Sequence, residues 1–215
     1  MSYKTKNDIR IDLTLLHPWL QYKINLLLNK CNKKGIYLII TEGYRTKEHQ
    51  DKLYAQGRTT PGKIVTNARG SDLSSQHQWG IAFDIGIAAT TPAEIYNLAM
   101  IKLVATIAKG LGLGWGGDWI SPVDTPHFYL KKWGDTPTAL KRTYGSFENF
   151  KRTWTATVAG TKNGLKVRRT KNPLSKVKKI YQNGKIVQVM YAKGKKSKVL
   201  LKNGTAGWVK NKYLK

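Results

Sequence analysis

Apolar positions recur at helical spacing in the first part of this chain and alternate at strand spacing in the last. Leu20, Ile24, Leu27, Leu28 and Cys31 return every three or four residues behind His17-Pro18-Trp19. Proline at an early helical position costs little, because its missing N–H would have had no partner there. Gly35 stops this helix, and Cys31 on its apolar face reads as a small core residue. Residues 36–41 form a short apolar run that predicts a buried strand, left through Glu42-Gly43-Tyr44-Arg45. Residues 47–56 predict a short helix ended by Gly57. Thr91-Pro92-Ala93-Glu94 is a capping box with proline at the first helical position. It predicts a helix whose core row is Ile95, Ala99, Leu103 and Ile107, closed by Gly110.

Residues 57–76 are polar, glycine-bearing and without period, so they predict a long loop that is either functional or a solvated excursion. Residues 112–119 are glycine-rich but lack the lysine and spacing of a phosphate loop. Beyond residue 154 the pattern changes to short β signals at Leu165-Lys166-Val167-Arg168, Ile186-Val187-Gln188-Val189, Lys198-Val199-Leu200-Leu201 and Gly207-Trp208-Val209. Asn163-Gly164, Asn183-Gly184 and Asn203-Gly204 fall between or beside them as hairpin markers.

Charge changes at the same place. Seventeen Lys and Arg and no Asp or Glu lie from Trp154 to Lys215, whereas all twelve carboxylates of this +26 chain precede it. The expected organisation is therefore a domain over residues 1–145, a linker over 146–153 and a small basic β domain over 154–215. Forty percent hydrophobic residues with seven Trp and eleven Tyr indicate a folded chain. A single cysteine excludes an intramolecular disulfide. No stretch is long enough to span a bilayer, and the amino terminus shows no apolar run of signal-peptide length. The expectation is a protein made and folded in a cytoplasm.

Candidate chemistry concentrates in two segments, Ser75-Gln76-His77-Gln78-Trp79-Gly80-Ile81-Ala82-Phe83-Asp84 and Asp124-Thr125-Pro126-His127-Phe128. Hydrolytic zinc takes three protein ligands from His, Asp or Glu and keeps a position for water. His77, Asp84 and His127 supply three, and Asp124 remains as a carboxylate able to take a proton. His77 and Asp84 are seven positions apart, so one unbroken strand would turn them to opposite faces. Gly80 lets the backbone turn between them, which predicts His77 on a loop entering a strand over residues 81–87. Pro126 opposes a helix and favours a bend before a short strand. Taken singly, each histidine also reads as a structural or surface residue, and Asp84 as a turn cap. His49, on the presumed short helix, reads as exposed rather than as a ligand.

The ordered set Ser75-x-His77-x-x-Gly80-x-Ala82-x-Asp84 and Asp124-x-Pro126-His127-Phe128 resembles the signature of the zinc D-Ala-D-Ala carboxypeptidase superfamily. That superfamily includes the L-alanyl-D-glutamate endopeptidases of phage endolysins and bacterial autolysins. Glu42-Gly43-Tyr44-Arg45-Thr46, Leu53-Tyr54-Ala55-Gln56-Gly57-Arg58-Thr59 and Gly114-Trp115-Gly116-Gly117-Asp118-Trp119 extend the likeness over most of the first 130 residues. It implies an α+β zinc peptidase domain, a small antiparallel sheet flanked by helices, with His77, Asp84 and His127 on Zn2+ and Asp124 as catalytic base.

Arg45 stands at a strand end, where its guanidinium could hold a substrate carboxylate or the oxyanion. The resemblance implies that role too, although alone it reads as one solvated charge among many. The same resemblance makes Gln50 and Ser75 substrate contacts. Trp115 and Asp118 join them from the glycine-rich segment, a backbone read as passing close to substrate between the walls of Trp115 and Trp119, although both Trp read equally as packing. Asp118 is also a rival base, but Asp124 lies nearer His127 and matches the family position.

The last sixty or so residues resemble the bacterial SH3-type domain that carries cell-wall hydrolases to peptidoglycan, an SH3-like barrel. A polybasic barrel suits anionic wall polymers such as teichoic acid. Nucleic acid suits the charge too but is not the expected partner, and the lysines also read as mere solubilisers. The function expected is a zinc-dependent endolysin cutting between L-Ala and D-Glu of peptidoglycan. The alternatives are a D-Ala-D-Ala carboxypeptidase or autolysin of the same fold, and a non-catalytic binder of cell wall or nucleic acid.

Overall fold

The computed structural model describes residues 8–88 and 94–215. They fall into two units, one of residues up to Leu16 with Lys23–Phe147, the other of His17–Tyr22 with Glu148–Lys215. Residues 146–153, expected as a linker, carry a short helix, Phe147–Arg152. Among the described residues no helix is long and apolar enough to cross a membrane.

The first unit holds a four-stranded antiparallel sheet. Its strands are β1 (Leu38–Glu42), β2 (Ala82–Ile87), β3 (Leu113–Trp115) and β4 (His127–Leu130), in the order β1-β2-β4-β3. The helices of this unit are α1 (Pro18–Asn32) from Lys23 onward, α2 (Lys47–Ala55), α3 (Leu98–Gly110) and α4 (Thr138–Tyr144). Ile24, Leu27 and Cys31 of α1 are fully buried, as the spacing requires. The core continues through Ile81, Phe83, Ile85 and Phe128, where each buried large side chain contributes on the order of 1.5–3 kcal/mol. The coarse expectation of helices and a small antiparallel sheet therefore holds.

The face of α3 is a correction. Thr91, Pro92 and Ala93 of the expected capping box lie outside the described residues. The observed helix starts after Asn97, whose Oδ1 accepts from the Met100 N–H at 3.1 Å. Its buried side chains are Ile101, Val104, Ala105 and Ala108, while Leu103 of the expected core row is 55% exposed. Lys102, Thr106 and Lys109 recur at helical spacing and mark the solvent face, and the buried row lies opposite them, packed against β2 and β3. The expected row took its phase from Ile95, which precedes the helix.

The 57–76 segment is tied down rather than loose. Gln50 Nε2 donates to Thr66 Oγ1 (3.1 Å) and to the Ala68 carbonyl (2.9 Å), and Arg58 donates to Tyr54, Thr66 and Asn67. The Gly70 N–H donates to Asp51 Oδ1 at 2.6 Å, where a β-carbon at Gly70 would overlap the Lys47 carbonyl.

The second unit holds a six-stranded antiparallel sheet. Its strands are β5 (Thr155–Thr157), β6 (Leu165–Arg168), β7 (Val177–Tyr181), β8 (Ile186–Lys193), β9 (Lys196–Leu200) and β10 (Ala206–Lys210), in the order β5-β8-β9-β10-β6-β7. Val158, Leu165, Val167, Val187, Val199, Leu201 and Val209 form its core. By strand pairing the sheet is open, with β5 and β7 at its ends, rather than a closed barrel. Thr157 and Lys215 exchange backbone hydrogen bonds beside β5.

Of the three Asn-Gly markers, Asn203-Gly204 alone joins strands that pair, β9 and β10. Asn163-Gly164 and Asn183-Gly184 reverse the chain between strands that go to different neighbours. Gly164 (φ 75°) and Gly184 (φ 83°) nevertheless occupy the left-handed backbone that such dipeptides favour. Lysine-bearing β7 is an edge strand with few buried positions, which is why its alternation escapes the sequence.

Candidate metal centre

Asp84 is the one charged residue of β2, and the sheet register puts it beside His127 of β4. On its other side a register shift between Ile40 and Glu42 places Glu42 opposite Asp84. Bulges of this kind re-aim side chains, and this one aligns Glu42, Asp84 and His127 in one row across three strands. His77 comes from a 3₁₀ turn, Gln76–Trp79, rather than from an irregular loop. Gly80, at φ 61°, turns the chain from there into β2. At the other end, the His127 N–H donates to the Asp124 carbonyl (3.3 Å), so Thr125-Pro126 is the bend that brings Asp124 and His127 together.

The three expected ligands converge. His77 Nε2 lies 3.1 Å from His127 Nδ1 and 3.3 Å from Asp84 Oδ1, and His127 Nδ1 lies 3.0 Å from the same oxygen. A tetrahedral zinc ion with ligands at about 2.0–2.2 Å holds neighbouring donor atoms roughly 3.3–3.5 Å apart, close to this triangle. Both imidazoles are buried.

Their tautomers follow from their other partners. His77 Nδ1 lies 2.7 Å from the Gly43 carbonyl, which only accepts, so that nitrogen carries the proton. His127 Nε2 lies 2.8 Å from Gln76 Oε1, and Gln76 is turned that way because its Nε2 donates to the Gly134 carbonyl. The nitrogens facing each other are then two bare acceptors beside a carboxylate oxygen, an arrangement that a metal cation, or in its absence a shared proton, would satisfy. A divalent ion fits the residues present.

Burial opposes the charge on Asp84, but positive charge on the His77 and His127 rings, when they are protonated in the metal-free protein, outweighs it and holds the carboxyl well below the usual carboxylate range; a bound cation between neutral rings would exert the same pull. Asp124 is different. Burial first, and then the negative charge of Asp84, push its carboxyl up, against the opposing pull of His127, His77 and Arg45. Two neighbouring carboxyls pushed apart in this way are suited to separate roles, ligand and proton acceptor. Gly116 makes room for the arrangement: a β-carbon there would overlap the Asp124 carbonyl and sit 3.1 Å from the β-carbons of both Asp124 and His127.

Arg45 is 12% exposed and held from two sides, its Nε on Glu42 Oε1 (3.3 Å) and its NH1 on Gln50 Oε1 (3.0 Å). Gln50 has no exposed surface and its amide is engaged at both ends. That places it behind Arg45 as a support. Trp115 is buried and its indole N–H donates to the Thr125 carbonyl (2.7 Å), clamping the Asp124 turn. Asp118 lies at the surface in an ion pair with Lys109 (3.0 Å). Ser75 is half-buried at the head of the His77 turn, its N–H on Gln78 Oε1 (3.4 Å).

Trp119, rather than Trp115, stands against the centre, with its ring centroid 5.0 Å from that of His127. Its Nε1 donates to the Tyr129 hydroxyl at 3.3 Å, which in turn donates to Asp135. Burial and Asp135 push the Tyr129 hydroxyl up to about 12. His49 pairs with Glu42 (3.4 Å) and is no ligand. His17 belongs to the second unit, stacked on Phe150.

Sequence reading assigned no role to Glu42, Gln76 or the Gly43 carbonyl. The only signal was that Gln76 lies inside the first motif and that Glu42 and Gly43 open the upstream Glu42-Gly43-Tyr44-Arg45-Thr46 stretch. Groups that orient a metal ligand set its affinity by about 10–100-fold. Gln76→Ala is therefore expected to weaken zinc binding by about that factor in competition with a chromophoric chelator. Unchanged affinity would remove the orienting role of the amide.

The D-alanyl-D-alanine carboxypeptidase family matches residues 68–130, the stretch that carries both motifs. The peptidoglycan L-alanyl-D-glutamate endopeptidase CwlK of Bacillus subtilis (strain 168) is 39% identical over 124 residues, which cover 54% of this chain and 73% of that protein. The L-alanyl-D-glutamate peptidase of Listeria phage A118 is 33% identical over 112 residues, 50% of this chain and 36% of that one. Among solved structures, the Serratia marcescens L-Ala D-Glu endopeptidase ChiX covers 57% of this chain and 86% of its own, at 22% identity and a TM-score of 0.41.

Proposed function

We propose that this chain, which belongs to the D-alanyl-D-alanine carboxypeptidase and L-alanyl-D-glutamate endopeptidase superfamily of zinc peptidoglycan peptidases, cuts the stem peptide between L-Ala and D-Glu. The observation that carries this reading is the triangle of His77, Asp84 and His127, with the Asp124 turn beside it. The three would hold zinc. The ion, when bound, supplies Lewis acidity for a polarised carbonyl and an acidified water.

The remaining work falls to the chain's own groups. Asp124 takes the proton of the attacking water and returns it to the leaving amine. A carboxyl pushed up by burial suits both halves of that transfer. Arg45, steadied by Glu42 and Gln50, offers a fixed cation to a substrate carboxylate or to charge developing on the carbonyl oxygen. Trp119 walls His127 on one side.

The relatives named as L-alanyl-D-glutamate peptidases support the endopeptidase over a carboxypeptidase. Mass spectrometry of digested muropeptides decides between them. The expected product is a glycan ending in lactyl-L-Ala with a released peptide that begins with D-Glu. Loss of a terminal D-Ala alone would replace this reading by the carboxypeptidase.

The second unit completes the proposal as an SH3-type module that holds the enzyme on the wall, in a phage-type endolysin acting after release at lysis. Its support is compositional and architectural: seventeen cations with no carboxylate over residues 154–215, on a small all-antiparallel sheet.

A further inference from the structure

A cleft of about 560 Å³ opens in the second unit, lined by the 160–166 turn, the segment after β6 and the end of β10. Seven of its seventeen lining residues are Lys or Arg. Among the described residues none of the seven is paired with a carboxylate, because the nearest acidic residue in sequence is Glu148. Lys196 and Arg168 spend their donors on the carbonyls of Lys171 and Ser175, which are neutral and leave the positive charge in place.

The two aromatic residues of the cleft are not open platforms. Lys171 Nζ lies over the Trp208 ring at 5.3 Å from its centroid, with Lys198 at 5.9 Å and the edge of Tyr191 at 5.7 Å. Lys212 Nζ lies over Tyr213 at 4.9 Å. The rings thus hold ammonium groups in place through cation–π contacts instead of offering a face to a planar ligand.

We infer that this cleft binds a linear phosphodiester polymer of the cell wall, of the polyol-phosphate class, through Lys171, Lys210 and Lys212. The inference rests on the wall-binding reading of the second unit and names its ligand chemistry. Seven closely set cations match a chain carrying one charge per repeat, because each phosphate engaged releases counterions and the gain accumulates along the polymer. A stem peptide carries too few carboxylates to use them. Single-stranded nucleic acid draws much of its affinity from bases stacked on exposed rings, and here lysines cover the rings.

The test uses the full-length protein, poly(glycerol phosphate) and an oligo(dT) of equal charge as probes, and whole walls before and after removal of their phosphate polymers. Lys171→Gln/Lys210→Gln/Lys212→Gln is compared with Lys179→Gln/Lys185→Gln/Lys202→Gln, which removes the same charge outside the cleft. The expected result is binding to poly(glycerol phosphate) that weakens with salt and falls at least about tenfold in the cleft variant, but under about threefold in the control. Equal losses in the two variants, or tighter binding to oligo(dT), overturn the inference. Wall sedimentation that survives removal of the phosphate polymers overturns it too, while leaving the wall-binding reading intact. No sedimentation with either wall preparation removes that reading as well.

Discussion

Asp124→Ala is expected to bind zinc one-to-one and to lose about 10²–10⁴-fold in turnover, the usual contribution of a positioned general base. The variant leaves the three converging donors intact, since Asp124 contributes its backbone, and not its carboxylate, to the His127 turn. Turnover within a few fold of the parent would place the base elsewhere. Burial and Asp84 push the Asp124 carboxyl up in the metal-free protein, so there its proton is lost at a higher pH than that of a free aspartate, and protonation of Asp124 is expected to set the acidic limb of activity. A bound dication acts in the opposite direction, so the acidic limb of the loaded enzyme should lie below the titration of Asp124 followed by NMR without metal.

The same shift has a consequence for stability with the sign reversed. A carboxyl raised on folding binds protons more tightly in the native state, so its contribution is present below the unfolded value of about 3.9 and is lost as pH rises through the folded one. Metal-free Asp124→Asn should therefore melt above the metal-free parent at neutral pH while being nearly inactive. A lower melting temperature for Asp124→Asn would show that its carboxylate is stabilised by something other than the centre.

Removal of the ion is expected to abolish wall clearing, and zinc to restore it. Chelation leaves two bare imidazole nitrogens 3.1 Å apart beside a carboxylate, a cluster whose remaining option is to share a proton. Rebinding should release protons. Zinc titrations in buffers of different ionisation enthalpy should then give heats that vary with buffer. His127→Ala should lose stoichiometric zinc, and with it the metal-dependent rate. Full activity in excess chelator would remove the metallopeptidase mechanism altogether.

The two predictions depend on features that were legible to different degrees. The candidate ligands His77, Asp84 and His127 and the proposed base Asp124 stand in the sequence beside Gly80 and Pro126, whose backbone restrictions act within a residue or two. Gly80 at φ 61° is the turn its neighbours required, and Pro126 precedes β4 directly. The orienting groups lay out of reach. His77 meets the Gly43 carbonyl across 34 positions, and Gln76 meets His127 across 51. No local pattern records such contacts, so Gln76 read as a motif spacer and Gln50 as a substrate contact. The surroundings of Asp118 and Trp115 were illegible for a related reason. Positions three apart in a glycine-rich segment diverge, one to the surface beside Lys109 and the other beneath the Asp124 turn.

By itself, then, the chain's order of residues determined the kind of chemistry, the division of charge and the places where the backbone must bend. These depend on side-chain identity and on steric rules that act over a few bonds. Tertiary structure alone decided how six short strands pair and which nitrogen of each imidazole faces inward. Those outcomes come from packing and hydrogen bonds between distant segments, where several arrangements satisfy the local pattern and only the folded whole selects one.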